Sequence, residues 1–225
     1  MKLVITLVLF FIFKVTMFDL SSINGGSMNP TLTDSDLVWV NKAYYGIRIP
    51  FFNDYLVRFG KAEKGSVVVI NDPTKQSFNG WIKRVIATPG DTIAITNKTL
   101  FVNGNNVDCK SERVVNKASL TCEETLEGHS YSVKHLIIFD EVQDQLAEVI
   151  VPPGHVFVLG DNRSLSADSR TVGFIAINDV IGKQVGVLPG MKTPLLVLLV
   201  VFVLLLLKPK PALSVKGHKS SRMGI

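Results

Sequence analysis

The chain has 225 residues, 47% of them hydrophobic, with a formal net charge of +5 and a mean hydropathy of +0.30. The length allows one moderate domain or two small ones, and the hydropathy is high for a wholly soluble protein. The charge excludes an ordinary nucleic-acid binder. Without the tail residues Lys208, Lys210, Lys216, Lys219 and Arg222 and the leading Lys2, Lys14 and Asp19, 24 basic residues become 17 and 19 acidic ones become 18. The middle of the chain therefore lacks the basic face that DNA or RNA binding needs.

Residues 3–18 are apolar apart from Lys14 and the hydroxyl of Thr6 and Thr16. Two readings fit. Lys2 and residues 3–13 match the basic end and apolar core of a cleaved signal peptide. The following MFDLSSINGGS offers no good small-x-small cleavage site, so the expectation is an uncleaved membrane anchor over 1–20, with Lys14 snorkelling or facing a partner. GGSMNPTL (25–32) comes next and places Ser27 seven residues past Leu20, a reach of at most about 25 Å.

Short alternating or β-branched runs follow: DLVWV (36–40), GSVVVI (65–70), WIKRVIA (81–87), DTIAI (91–95), TLFVNGNNV (99–107), HSYSVKHLIIF (129–139), GHVFVLGD (154–161) and DVIGKQVGVL (179–188). NDPT, TPGD, VNGN and VPPG separate them as turn signals, and FVNGNNV predicts a hairpin on an Asn-Gly turn. YYGIRIPFF (44–52) fits either a buried corner or a segment dipping into the membrane interface. The expected fold is mainly β, a partly open, barrel-like or sandwich domain over 21–190.

Thirteen unbroken apolar residues, 195–207, end the apolar part of the chain. As helix they cover about 20 Å against a ~30 Å hydrocarbon core; starting at Met191, with Lys192 snorkelling, reaches the lower limit for a span. A buried core helix is the alternative. The basic, Pro-containing tail over 208–225 has the character of a stop-transfer flank, which favours a transmembrane helix over 191–207. Basic residues stay cytoplasmic, so both ends lie inside and 21–190 outside.

Cys109 and Cys122 are able to pair in an oxidising exterior, and two cysteines without a nearby His pair make a poor zinc site. Asn97-Lys-Thr and Asn162-Arg-Ser match glycosylation sequons, a pattern common by chance. Of four histidines, His129, His135, His155 and His218, only His129 and His135 approach a ligand spacing, and they fall on an expected strand; all four read as surface or core residues. A nucleophilic Ser27 would then need a base other than histidine, and a buried lysine is able to serve. In WIKRVIATPGD, alternation puts Trp81, Lys83 and Val85 on one strand face and Ile82, Arg84 and Ile86 on the other. Both faces are mostly apolar, so one of the two cations is expected in a dry place; a snorkelling edge-strand lysine fits the pattern too. GDNRSLSADSRTVG (160–173) reads either as a self-satisfied polar loop or as a rigid support for a catalytic base.

GGSMNPTL, GSVVVI, WIKRVIATPGD and GDNRSLSADSRTVG, in this order, resemble the four sequence boxes of bacterial type I signal peptidases, the membrane-bound serine–lysine endopeptidases. The resemblance runs from Ser27 to Gly186. It implies Ser27 as nucleophile and Lys83 as general base, with Ser166 hydrogen-bonding the amine. It implies Met28 in the substrate pocket, Pro30 fixing the turn, and Arg84, Asp161, Asp168 and Arg170 in a supporting polar network. It implies a largely β catalytic domain on the outer side of the bacterial cytoplasmic membrane, in contact with its lipids. Its substrates would be signal-peptide-bearing preproteins cut after a small residue, with no metal and no cofactor.

Two features depart from the pattern. Some family members carry a hydroxyl two residues before the nucleophile that helps bind the oxyanion, and here that position is Gly25. Many relatives also anchor only at the amino end. Three alternatives remain: a relative that matures conjugative pilin subunits, a catalytically silent membrane-tethered envelope scaffold, and a cytoplasmic repressor-type autopeptidase, the last disfavoured by two spans and no basic helical domain.

Overall fold

The computed structural model describes residues 5–6, 17–48, 55–74, 80–137 and 145–189. The chain divides into two units, Met1–Lys192 and Thr193–Ile225. The expected carboxy-terminal span over 191–207, the tail over 208–225 and most of the expected anchor over 1–20 lie outside the described residues. Among the described residues no helix is long and apolar enough to cross a membrane.

The described residues hold sixteen strands. In chain order they are β1 (Phe18–Ser22), β2 (Leu37–Asn41), β3 (Gly46–Arg48), β4 (Tyr55–Arg58), β5 (Val67–Ile70), β6 (Trp81–Ala87), β7 (Thr92–Thr96), β8 (Thr99–Val102), β9 (Asn105–Val107), β10 (Lys110–Asn116), β11 (Ser119–Leu126), β12 (His129–Leu136), β13 (Leu146–Ile150), β14 (His155–Leu159), β15 (Ile175–Ala176) and β16 (Val180–Leu188). One four-residue helix, α1 (Ser169–Val172), interrupts them. The protein is therefore mainly β.

Seven strands form one sheet in the order β1-β2-β16-β5-β6-β14-β15. Its two ends, β1 and β15, do not meet each other, so the sheet is open. A four-stranded sheet (β13-β7-β8-β9), a three-stranded sheet (β10-β11-β12) and the β3-β4 hairpin complete the fold. Asn103 and Gly104, both with positive φ (53° and 74°), join β8 to β9, as the left-handed pair of an Asn-Gly hairpin turn requires.

The boundary expected at residue 20 falls inside β1. Phe18 packs edge-on against Trp39 at 6.2 Å and Asp19 pairs with Lys42 at 2.9 Å, so these residues belong to the sheet. Strands β10 and β11 carry no signal in the apolar pattern. Every residue of KSERVVN in β10 is exposed, and an edge strand without a buried face has no alternation to read. In the aromatic segment, Tyr45 is fully buried whereas Ile47 is exposed, so its described part is a corner with one outward residue; 49–52 lie outside the described residues.

Both faces of β5 and β6 are dry. Val68, Ile70 and Val85 pack in one apolar cluster with Val156, Val158 and Val180, and Val67, Val69 and Ile82 pack in another with Met28, Leu32, Val38 and Val40. β6 is a central strand, paired with β5 through Val68 and Lys83 and with β14 through Leu159 and Arg84. Any polar side chain on β6 must find its partners inside the protein.

Candidate active site

Three segments distant in sequence meet here: the β1–β2 turn with Ser27, strand β6 with Lys83 and Arg84, and the loop after β14. The turn is tied at its base by Ile23 N–H to the Asp36 carbonyl (2.9 Å) and Ser35 N–H to the Ile23 carbonyl (3.1 Å). Met28 and Leu32, buried in the core cluster, anchor its far side. Gly25 has φ +102°, and a Cβ there would meet nothing within 4 Å. Glycine is needed at that position for its backbone conformation, and the space beside it is open. The Gly25 N–H donates to Asp34 Oδ1 at 3.0 Å. The Asn29–Pro30 peptide is cis.

Lys83 Nζ donates to Ser27 Oγ at 2.9 Å and to the Ile82 carbonyl at 3.1 Å. Lys83 is only 4% exposed. Burial pushes the amine from its ordinary 10.5 down to about 8; the carboxylates of Asp168 and Asp161 pull it up, and Arg170 pushes it down. A lysine in this setting is neutral in a large fraction of molecules near pH 8, and a neutral amine at this distance is able to accept the serine proton. Arg84, one residue on, is 5% exposed. Its Nε and Nη2 grip Asp161 at 2.8 and 2.6 Å, its Nη1 donates to the Gly65 carbonyl at 2.6 Å, and its guanidinium covers the Tyr131 ring at 4.0 Å. One dry cation was expected on this strand, and the structure buries two. Pairing explains the difference: the arginine sits in a bidentate ion pair, whereas no carboxylate among the described residues contacts the lysine amine.

The loop after β14 carries its own ion pair, although Asn162 Oδ1 and Arg163 Nε have no hydrogen-bond partner among the described residues. Asp168 accepts from Arg170 Nε (2.9 Å) and Nη2 (2.8 Å) and from the Gly160 N–H (3.0 Å). Burial raises its carboxyl, but the hydrogen bonds and charge of Arg170 outweigh burial and hold it below the usual carboxylate range. The expected network of Arg84, Asp161, Asp168 and Arg170 is thus two separate ion pairs. Ser166 departs from the expectation that it bonds the lysine amine. Its Oγ has a long 3.5 Å contact with the Ala167 carbonyl and contributes a hydrogen bond to Asp168; neither bond of Lys83 goes to it. The strong carboxylate acceptor next to it accounts for this choice. A Cβ on Gly160 would fall 2.5 Å from the Ser27 carbonyl oxygen and closer still to Ser166 Oγ, so glycine lets the loop touch the nucleophile's backbone.

A cleft of about 330 Å³ opens over this pair, with Ser27 and Lys83 in its wall beside Ile23, Met28, Ile82 and Ala167. Met28 thus serves both core and cleft. The arrangement suits attack by a serine on a carbonyl held along an aliphatic wall.

A family model described as "Signal peptidase, peptidase S26" matches residues 1–188. The chain belongs to this signal peptidase family. Among similar proteins, the signal peptidase I of Pseudomonas aeruginosa is 33% identical over 184 residues, covering 73% of this chain and 62% of that one. The signal peptidase I of Bacillus caldolyticus is 35% identical over 165 residues, covering 72% and 74%. This chain therefore spans less than two thirds of the Pseudomonas relative's length. A crystal structure of a signal peptidase I from Enterococcus faecalis aligns with 56% of this chain and 99% of that one, at 26% identity and a TM-score of 0.38.

Several residues that shape this candidate site carry no individual signal in the sequence. Thr31 Oγ1 donates to Asp161 Oδ2 at 2.5 Å. Arg163, fully enclosed, donates to Glu124 from Nη1 and Nη2 at 2.6 and 2.5 Å, tying the loop to β11. Asn162 is 4% exposed, so the sequon reading of Asn162-Arg-Ser fails: a glycan needs a surface asparagine. Cys109 and Cys122 are joined as a disulfide with Cα atoms 5.4 Å apart. The fold also brings buried His135 beside them, with the three potential ligand atoms within 4.8 Å of one another. Metal ligation would need free thiolates, which the disulfide removes.

Proposed function

We propose that this chain is a serine endopeptidase with a Ser27/Lys83 dyad that removes N-terminal signal peptides from exported preproteins. The observation that carries the reading is the 2.9 Å bond between Lys83 Nζ and Ser27 Oγ inside an apolar setting that favours the neutral amine. Family membership and the aliphatic cleft beside the pair support the substrate class.

Neutral Lys83 takes the Ser27 proton as the hydroxyl oxygen attacks the carbonyl carbon of the scissile peptide. The carbonyl oxygen becomes an oxyanion facing the Ser27 N–H. Collapse expels the amine of the mature protein, which receives the proton from Lys83, and leaves an acyl-enzyme on Ser27. A water, deprotonated by Lys83, hydrolyses the ester and restores both groups. Arg84–Asp161 and Arg170–Asp168 keep the surrounding charges paired, so no carboxylate among the described residues contacts the amine and holds it protonated.

The proposed setting is the outer face of the bacterial cytoplasmic membrane, with 1–20 and 191–207 as spans, 21–190 outside and 208–225 inside. A serine a few residues past the anchor meets a signal peptide where its apolar core leaves the lipid. The test is cleavage of a panel of preproteins and prepilins by the full chain in detergent micelles. Cleavage at the signal-peptide junction, abolished by Ser27→Ala and by Lys83→Ala, is the expected result. Wild-type rates for Lys83→Ala, or no cleavage of any substrate by the parent chain, overturn the reading.

A further inference from the structure

Gly25 leaves the oxyanion site without the side-chain hydroxyl that some relatives supply, and the Gly25 N–H is already spent on Asp34. The aim of the Ser27 N–H then matters more. That N–H belongs to the Gly26–Ser27 peptide, which is not among the cis bonds of the described residues. In a planar trans peptide the carbonyl and the N–H point in opposite directions. Whatever holds the Gly26 carbonyl therefore sets the direction of the Ser27 N–H.

Asn162 holds it. Its Nδ2 donates to the Gly26 carbonyl at 2.9 Å, and its backbone N–H donates to the Ser27 carbonyl at 3.0 Å. One residue thus grips the peptide units on both sides of the nucleophile. Asn162 is itself fixed. It is 4% exposed, its carbonyl accepts from the Leu165 N–H at 3.1 Å, the adjacent Asp161 carbonyl accepts from the Lys134 N–H at 2.8 Å, and it bridges to Lys134 of β12. The amide orientation follows from the chemistry, since an oxygen turned toward the Gly26 carbonyl would face a second acceptor. Its Oδ1 has no hydrogen-bond partner among the described residues, so Nδ2 is the end of the side chain that binds.

We infer that Asn162 is a positioning residue for the oxyanion site: its side chain fixes the plane of the Gly26–Ser27 peptide and so directs the Ser27 N–H at the developing charge. The hydrogen bond to Gly26 also polarises that peptide, which strengthens its N–H as a donor. Asn162 touches neither the reacting atoms nor the base. The inference rests on the serine–lysine reading above.

The test uses the full chain in detergent micelles, with Asn162→Ala and Asn162→Leu. The leucine keeps the shape and the backbone donor, adds no charge and loses Nδ2, and it stands in if the alanine variant fails to fold. With the donor misaimed, kcat falls roughly 100-fold while KM stays close to the parent value, the mark of an interaction made in the transition state. The pH midpoint set by Lys83 does not move. Affinity for a peptide aldehyde ending in alanine, which forms a tetrahedral adduct on a serine, falls by a similar factor; affinity for an uncleavable peptide of the same sequence does not. A parent-like kcat in a folded variant overturns the inference and leaves the dyad standing, as does a loss carried by KM or by a displaced pH midpoint. A parent chain that cleaves no preprotein overturns the dyad and this inference with it.

Discussion

The Lys83 amine lies 2.9 Å from the Ser27 hydroxyl, with no carboxylate of the described residues in hydrogen-bond contact with it. Desolvation is the leading influence on that amine. The rate of cleavage is therefore tied to how readily Lys83 gives up its proton. With the amine at about 8, kcat/KM should rise about tenfold per pH unit below that value and level off above it. Initial rates on a fluorogenic signal-peptide substrate between pH 6 and 10 check this. A flat profile, or a rise centred near the ordinary lysine value, contradicts it.

The same burial makes Lys83 a stability defect at neutral pH. Its folded value of about 8 lies below the ordinary 10.5. Below pH 8 the group is charged in both folded and unfolded chains, and the full penalty, about 3 kcal/mol by linkage, is present. Between pH 8 and 10.5 the unfolded chain binds a proton that the folded one does not, so stability rises with pH. Lys83→Met should accordingly melt above the parent at pH 7 and lose that advantage as pH approaches 10.5, while being inactive throughout. Thermal melts at pH 7 and 10.5 decide the matter; a Met variant less stable at pH 7 would speak against a desolvated lysine.

Arg170 and Asp168 act on Lys83 in opposite directions, the aspartate more strongly. Arg170→Met leaves the Asp168 charge uncompensated and should move the pH midpoint of kcat/KM upward, so that activity at pH 7.5 suffers more than at pH 9.5. It also leaves a buried charge unpaired, a loss of roughly 3–5 kcal/mol of stability. Combining it with Asp168→Asn removes both charges and should bring the midpoint below that of the parent. A midpoint that ignores both changes would show that these charges do not reach the amine.

Gly160 is required by space, since a Cβ would meet the Ser27 carbonyl oxygen at 2.5 Å. Gly160→Ala must push the loop and the nucleophile's turn apart. A stability loss of about 1–3 kcal/mol is expected from overpacking, together with a fall in kcat larger than the melting change explains, because Asn162 and Ser27 separate. Melting curves alongside kcat measure the two effects; an alanine variant with parent-like turnover would mean that the contact is not needed.

Much of the fold was legible where one face or both were buried. WIKRVIA coincides with β6 residue for residue, and the Asn103–Gly104 turn follows from its two left-handed residues. KSERVVN and SLTCEETL were not legible, because their residues are mostly polar and β10 buries none of them. At the site, Ser27, Lys83, Arg84, Asp161, Asp168 and Arg170 are all identifiable from the motif segments, whereas the contacts that tie those segments to the rest of the fold are not. The Arg163–Glu124 pair spans 39 residues; alternation puts Glu124 on the face of Leu120, Cys122 and Leu126, unlike the exposed Glu123, but nothing local names Arg163 as its partner.

The sequence by itself determined the chemical inventory: a serine in a glycine-led turn, a lysine on an apolar strand, a polar loop, and the order that marks the signal peptidase family. Only the tertiary structure decided what those groups do to each other. Whether Lys83 is a snorkelling cation or a dry amine depends on clusters drawn from β5, β14 and β16 and from the Ser27 turn. Whether Ser166 meets the lysine or Asp168 depends on which acceptor the loop presents. Both are questions of distance and solvent exclusion, and a proton's affinity depends on the medium around the group that binds it.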